Sequence, residues 1–249
     1  MFGRLRGKHP KSADWFRCEG CGEIAQGDGA EAMLAVCGAC GYHGPLGAQA
    51  HLDLLCDPGS FSAEGPELRP VDPLGFRGKL RYRDELKAAQ KQSQLVECVL
   101  MGGARVGGKP VVVAASESAF LGGTLGAVGG ESIARAFELG AAEQIPVVLV
   151  LSSAGFRRQE GVYAAAIMAR MVTQLAVLRR AGATLIVIGA GHVRGAAALV
   201  GASADVFWCE PGVRVSWGAG DGHKGVGAGS VMPRSEQREQ LVSLVRAIG

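Results

Sequence analysis

Aromatic side chains are scarce in this 249-residue chain: Trp, Tyr and Phe together make up 6%. Histidine is scarcer still, at five residues, and none sits in a cluster with acids. A site built from a dense set of acid and base side chains is therefore not expected. Apolar runs stop short of the roughly 18 residues that span a bilayer, and nothing resembles a signal peptide. Both absences read as a soluble, cytoplasmic protein of a reducing compartment with no membrane partner. The net charge of +3 does not by itself argue for nucleic acid. The spacing G-x-x-x-x-G-K-[ST] is missing, and Gly123, Gly126 and Gly130 do not give G-x-G-x-x-G after a first strand. A P-loop and a dinucleotide fingerprint are thereby disfavoured.

Glycine, by contrast, is abundant: 39 residues, roughly twice the usual share. The glycines fall in tight clusters, as expected where backbone approaches backbone or ligand. Four of the seven cysteines crowd near the start, Cys18 with Cys21 and Cys37 with Cys40. Two C-x-x-C knuckles at this separation are the pattern of a tetrahedral structural zinc site whose four thiolates leave no open position. His43 is a possible substitute ligand, but four cysteines suffice. Cys56, Cys98 and Cys209 stand alone, and Cys209 in "VFWCEPG" reads as a buried strand residue. Residues 1–13 form a basic tail (Arg4, Arg6, Lys8, Lys11). A tail before a zinc ribbon raises nucleic acid as a partner, yet Tyr42 and His43 are the only nearby rings for stacking, so nucleic acid is not expected.

The chain divides into the tail 1–13, a ribbon 14–47 and a larger unit 48–249. Helices are expected at "LGAQAHLDLLCD", "YRDELKAAQKQS" and "QEGVYAAAIMARMVTQLAVLRRAG", the last ended by two arginines and Gly182. "LVECVLMGGARVGGKPVVVAAS" reads as two strands, "IPVVLVLSSAG" and "ATLIVIGAG" as buried strands, "HVRGAAALVGAS" as a short helix and "ADVFWCEPGVRVSWG" as a strand pair. Continuous apolar strands imply burial on both faces, hence an α/β fold with a parallel or mixed sheet.

Two glycine loops sit between a strand and a helix: "FLGGTLGAVGGESI" at residues 120–133 and "SSAGFRRQEG" at residues 152–161. Such loops aim backbone N–H groups at whatever lies above the helix start, a phosphate or a thioester oxygen. They also permit tight helix–sheet packing, with no ligand at all. Glu131 and Glu160 read as first-turn residues that complement helix dipoles.

The order of motifs resembles the β subunit of the acetyl-CoA carboxylase carboxyltransferase. The matches are "W-F-x-C-x-x-C-G", "V-C-x-x-C-G-Y-H", "D-P-G-S-F", "V-D-P-L-x-F", "Y-x-D-x-L", "G-x-P-V-V-V-A", "F-L-G-G-T-L-G-x-V-x-G-E", "S-x-x-G-x-R-x-Q-E-G" and "A-D-V-x-x-x-E-P-G", in order from about residue 15 to 220. The resemblance implies a crotonase-like (ClpP/crotonase) ββα superhelix behind an N-terminal zinc ribbon. It implies that an acyl-CoA thioester is held and its enolate stabilised by backbone amides, with carboxybiotin brought by an α-type subunit. On that reading Gly122, Gly123, Ala154 and Gly155 form the oxyanion-hole loops, and Gly126, Arg157 and Gly195 help hold the CoA. Arg157 either orders the second loop or meets a CoA phosphate. A homo- or hetero-oligomer is implied, with a second crotonase-like subunit as the other candidate partner.

The chain departs from the family where Ala154-Gly155-Phe156 replaces two glycines and a small residue, and where "GAGHVRGAAALVG" carries His192 and Arg194. "DGHKGVGAGSVMP", with Asp221 and His223, replaces a helical segment. Two further readings follow. One is a biotin-independent decarboxylase or hydrolase of malonyl or acyl thioesters, carried on CoA or an acyl carrier protein, using His192 or His223 as acid or base. The other is a non-catalytic zinc-ribbon binding protein.

Overall fold

The computed structural model describes residues 15–26, 34–65, 67–216 and 229–248. The basic tail 1–13, Asp221 and His223 lie outside the described residues. A two-stranded antiparallel sheet, β1 (Trp15–Arg17) with β2 (Ile24–Gln26), opens the chain. The remaining strands form one mixed sheet: β3 (Ser62–Ala63), β4 (Val99–Val106), β5 (Lys109–Ser116), β6 (Val147–Ser153), β7 (Leu185–Arg194), β8 (Val206–Cys209), β9 (Arg214–Ser216) and β10 (Ser230–Val231). Its order is β10-β8-β7-β6-β5-β4-β3, with β9 also paired to β7. From β5 to β10 every pairing is parallel, while β3 and β4 join antiparallel at one edge.

The branched runs of β5, β6 and β7 explain the centre. Side chains alternate across a strand, so Val112, Ala114, Val147, Leu149 and Val187 face one core, and Val111, Val113, Val148, Val150 and Ile186 the other. Each such Val or Ile contributes about 1.5–3 kcal/mol by leaving water. Helices α2 (Tyr82–Ser93), α3 (Ala127–Glu143), α4 (Val162–Arg180) and α5 (Ala196–Ala202) cover the first face. Helices α1 (Ala48–Leu55) and α6 (Arg234–Ile248) cover the second.

Two expectations change. His192 and Arg194 lie on β7, which runs on past "ATLIVIGAG", so they do not start a helix; a left-handed Gly191 (φ 63°) lets the strand bend and then pair with β9. The strands of "ADVFWCEPGVRVSWG" each pair with β7, not with one another. Among the described residues helix α4 alone is long and apolar enough by length and composition to cross a membrane, but Arg170 interrupts it, so no uninterrupted apolar run reaches about 18 residues. Its Arg170 pairs with Glu131 and Glu138 of α3.

Candidate active site

Parallel β5, β6 and β7 each end in a glycine-bearing turn at the same edge of the sheet, the edge where α/β folds place ligands. The first turn, Leu121–Gly123, is left-handed, with φ of 48°, 68° and 64°, and the second passes through Ala154 and Gly155. The two are laced together: Ala154 N–H donates to Gly122 O at 2.9 Å, Leu125 N–H to Gly155 O at 2.8 Å, and Arg157 N–H to Leu125 O at 3.0 Å. Close approach is the reason for glycine here. Gly123 has φ 64°, and a Cβ on it would collide with the Ser152 carbonyl oxygen. The third turn completes the group, since a Cβ on Gly195 would stand 3.8 Å from Gly155 Cα. Gly122, Ala154, Gly155 and Gly195 are thus brought together, with Gly122 and Ala154 exposed and Gly123 and Gly155 buried.

Beneath the loops lies a buried ionic bolt. Arg157 is fully buried and holds Glu97 with both terminal nitrogens, while its guanidinium also donates to Thr124 O and to Glu160 Oε1 at 3.4 Å. Its guanidinium stacks over the Phe120 ring at 5.3 Å. Burial opposes its charge, but the surrounding anionic groups, Glu97 first, outweigh this and raise its pKa. Glu160 accepts from the Tyr82 hydroxyl and from Ala127 N–H at 2.6 Å. Burial raises the Tyr82 pKa, so the phenol keeps the proton it donates. Arg157 therefore ties α2, the lead into β4 and both glycine loops into one piece. No guanidinium face is open to a CoA phosphate, so of its two expected roles the geometry matches loop ordering.

Two acids differ from expectation. Glu160 caps α3, where a Cβ on Gly126 would stand 2.6 Å from its Oε1, and does not complement its own following helix. Glu131 lies past the first turn of α3, where Arg170 and Arg135 lower its pKa against the effect of burial.

The expected open amides are largely engaged within the chain. Gly123 N–H donates to Phe120 O at 2.9 Å, Gly155 N–H to Ser153 Oγ at 3.1 Å and Gly195 N–H to Ser216 O at 2.9 Å, and Ala154 N–H is bound as above. Gly122 N–H donates to no described residue. His192 is exposed on β7, opposite Arg214.

The four knuckle cysteines converge, their Sγ atoms all within 4.8 Å of one another. Cys18–Cys40 and Cys21–Cys37 Sγ separations are 3.6 and 3.9 Å. Zn–S bonds of about 2.3 Å in a tetrahedron put sulfurs about 3.8 Å apart, so the set fits zinc. His43 turns away from it, its Nδ1 3.8 Å from Glu210. Glu210 is bound by Arg234 at 2.6 and 2.7 Å, and Arg234 also donates to Leu34 O at 2.7 Å. The ribbon is thereby joined to β8 and α6.

Residues 48–211 match the carboxyl transferase domain family. The chain belongs to that family. It is 39% identical over 204 residues to the acetyl-coenzyme A carboxylase carboxyl transferase subunits beta/alpha of Salinispora arenicola, covering 82% of this chain and 36% of that one. It is 34% identical over 204 residues to the beta subunit of Desulforamulus reducens, covering 82% and 70%. The chain therefore spans about a third of the fused relative. Among solved structures, the Pseudomonas malonate decarboxylase MdcD-MdcE hetero-dimer superposes with a TM-score of 0.60 at 20% identity, covering 81% of this chain and 86% of that one. The crotonase-like carboxyltransferase fold expected from the motifs is the fold found.

Within this carboxyl transferase domain, sequence reasoning missed Glu97, which stands in no quoted motif and is buried against Arg157. The signal available was an acid in an otherwise apolar strand lead, "LVECV". Tyr82 stood in a quoted motif without a role, and the structure supplies one.

Proposed function

We propose that the chain is a β-type carboxyltransferase half-site that holds an acyl-CoA thioester above the two laced glycine loops. The apposition of Gly122 with Ala154 at the ends of parallel β5 and β6 carries this reading. Gly122, exposed and with its N–H bound to no described residue, is the donor for the thioester oxygen. Arg157, Glu97 and Glu160 act through the loops by fixing their backbone before substrate arrives, the preorganisation on which oxyanion stabilisation depends. Gly123, Gly126, Gly155 and Gly195 let the turns close together. The carboxyl group would arrive on biotin carried by a partner; with its N–C bond broken to release CO2, the freed ureido nitrogen would take the acyl α-proton, and the α-carbon, its enolate oxygen facing Gly122, would bond to the CO2.

An α-type subunit or a second crotonase-like subunit completes the site. Helix α4 supports this, because it follows the second loop and leaves Val162, Tyr163 and Val172 exposed, with an apolar groove between Met168, Leu175 and Leu199. Zinc in the ribbon is structural, the ribbon ending and the catalytic unit beginning near residue 48, where the family match starts. Thiolates paired for a metal support a cytoplasmic setting.

A second reading, biotin-independent decarboxylation or hydrolysis of a malonyl or acyl thioester on CoA or an acyl carrier protein, is favoured by exposed His192 next to Gly191, whose Cβ would stand 3.2 Å from Ser152 Oγ of the second loop. Mass spectrometry of malonyl-CoA with free biotin, with and without an α-type subunit, separates the two. Carboxyl transfer to biotin only with the subunit supports the first. Loss of CO2 or malonate from the chain alone replaces it with the second.

A further inference from the structure

Strands β7 and β9 bring charge to the edge of the sheet where the glycine loops meet. Val193 and Val215 are register partners, and both are buried in the first core. Side chains alternate across a strand, so His192 and Arg194 on β7 and Arg214 and Ser216 on β9 all face away from that core. Burial agrees with this: His192 and Arg214 are exposed, and Arg194 and Ser216 are half-buried. His192 stands directly opposite Arg214, and Arg194 opposite Ser216. One small face therefore offers a guanidinium, an imidazole and a hydroxyl beside Arg194, which is itself engaged within the chain.

This face lies against the second glycine loop. A Cβ added to Gly155 would stand 3.6 Å from Arg194 Cβ, and one added to Gly191 3.2 Å from Ser152 Oγ. Ala154, just before Gly155, is itself bound to Gly122 O. Gly122, Ala154, Arg194 and Arg214 thus lie on successive neighbouring segments of backbone, and neighbouring strands run about 4.8 Å apart. Neither His192 nor Arg214 forms an ion pair with a described residue. An arginine in that state suits a carboxylate brought by a ligand, because its planar fork and a carboxylate pair through two parallel hydrogen bonds.

We propose that Arg214 and His192 read the acyl group itself, holding a carboxylate at its far end, so that the substrate is the thioester of a dicarboxylic acid. The acyl chain runs from its carbonyl at Gly122 past Ala154 and Gly155, and its terminal carboxylate accepts from the Arg214 guanidinium and the His192 ring. That carboxylate lies several carbons beyond the α-carbon, away from the bond that exchanges the carboxyl group. The carrier is attached at the sulfur, the other end of the acyl group, so its phosphates do not compete for this face. His192 stands where the chain departs from its family's motif, which makes the specificity this chain's own. The assignment rests on the thioester reading above and adds which class of acyl group is taken.

Glutaryl-CoA and pentanoyl-CoA share the carrier and the acyl chain length and differ by the terminal carboxylate, so calorimetric titration of the full chain with each tests the assignment. Wild type is expected to bind glutaryl-CoA at least about tenfold more tightly, with the preference shrinking as salt screens the exposed charges. Arg214→Met should cut the preference to about twofold or less, and Arg214→Lys should keep part of it, since the charge survives without the fork. His192→Leu should cut it by a smaller factor. All three variants should keep the wild-type melting temperature, because both side chains are exposed. Equal binding of the two thioesters by wild type overturns the carboxylate site while the thioester reading stands. A loss in Arg214→Met that falls equally on both ligands also overturns it, and assigns the cation to the shared carrier. Binding of neither ligand by wild type overturns the thioester reading and the carboxylate site with it.

Discussion

Arg157 and Glu97 face each other as a two-pronged ion pair with both side chains buried, and the guanidinium of that pair also reaches Thr124 in the first loop and Glu160 in the second. A pair this buried is costly to break from one side, because the surviving charge has neither water nor partner.

Arg157→Met is therefore expected to destabilise the fold by about 3–5 kcal/mol. Denaturant melts of Arg157→Met alone and combined with Glu97→Gln check the cause. Removing the stranded carboxylate should recover part of the loss, and a double variant no more stable than Arg157→Met would assign the loss to packing alone.

Gly123→Ala and Gly122→Ala should differ. Both positions have positive φ, which costs a non-glycine residue about 1–2 kcal/mol. At Gly123 the new Cβ also collides with Ser152 O, whereas at Gly122 the nearest atom is Ala154 Cβ at 3.4 Å. Melting temperatures should fall further for Gly123→Ala, and acetyl-CoA binding should be lost in that variant first. Equal effects would mean that the two loops are not in contact in solution.

His51 on α1 is buried, and neither ring nitrogen has a hydrogen-bond partner among the described residues. Burial depresses its pKa to about 4, with Arg234 adding to the effect and Glu210 opposing it. The folded pKa lies below the unfolded value of about 6.5, so the unfolded state binds the extra proton. Stability is complete above pH 6.5 and falls as pH drops toward 4, by about 3 kcal/mol in total. His51→Leu should flatten that limb of the pH–stability curve. An unchanged slope would place the acid sensitivity elsewhere.

The ribbon should carry one zinc per chain by elemental mass spectrometry, and Cys37→Ser should abolish retention through gel filtration. Zinc removal with a chelator should unfold the ribbon, since the metal supplies its folding energy. Metal-free protein with unchanged amide exchange at residues 34–44 would contradict a structural site.

Much of this was legible from residue order. The strands with branched apolar runs, the knuckle cysteines and the helix of "YRDELKAAQKQS" declare themselves through local chemistry, and α2 spans those twelve residues. The position of the two glycine loops was legible too. Which amides remain open was not, because Ala154, Gly155 and Gly195 bind partners that depend on how three strands end side by side. Glu97 was invisible for the same reason: its meaning comes from Arg157, sixty residues away. Likewise, His192 sits on a strand because Gly191 bends it, a choice made by pairing with β9 rather than by local sequence.

The most direct test of the thioester site is difference infrared spectroscopy of acetyl-CoA labelled with ¹³C at the thioester carbonyl. Bound to the wild-type chain, the carbonyl stretch should move to lower frequency, as polarisation by the Gly122 amide requires. An unshifted carbonyl in a complex shown to be saturated would contradict the assignment of the laced loops as the site of the chemistry.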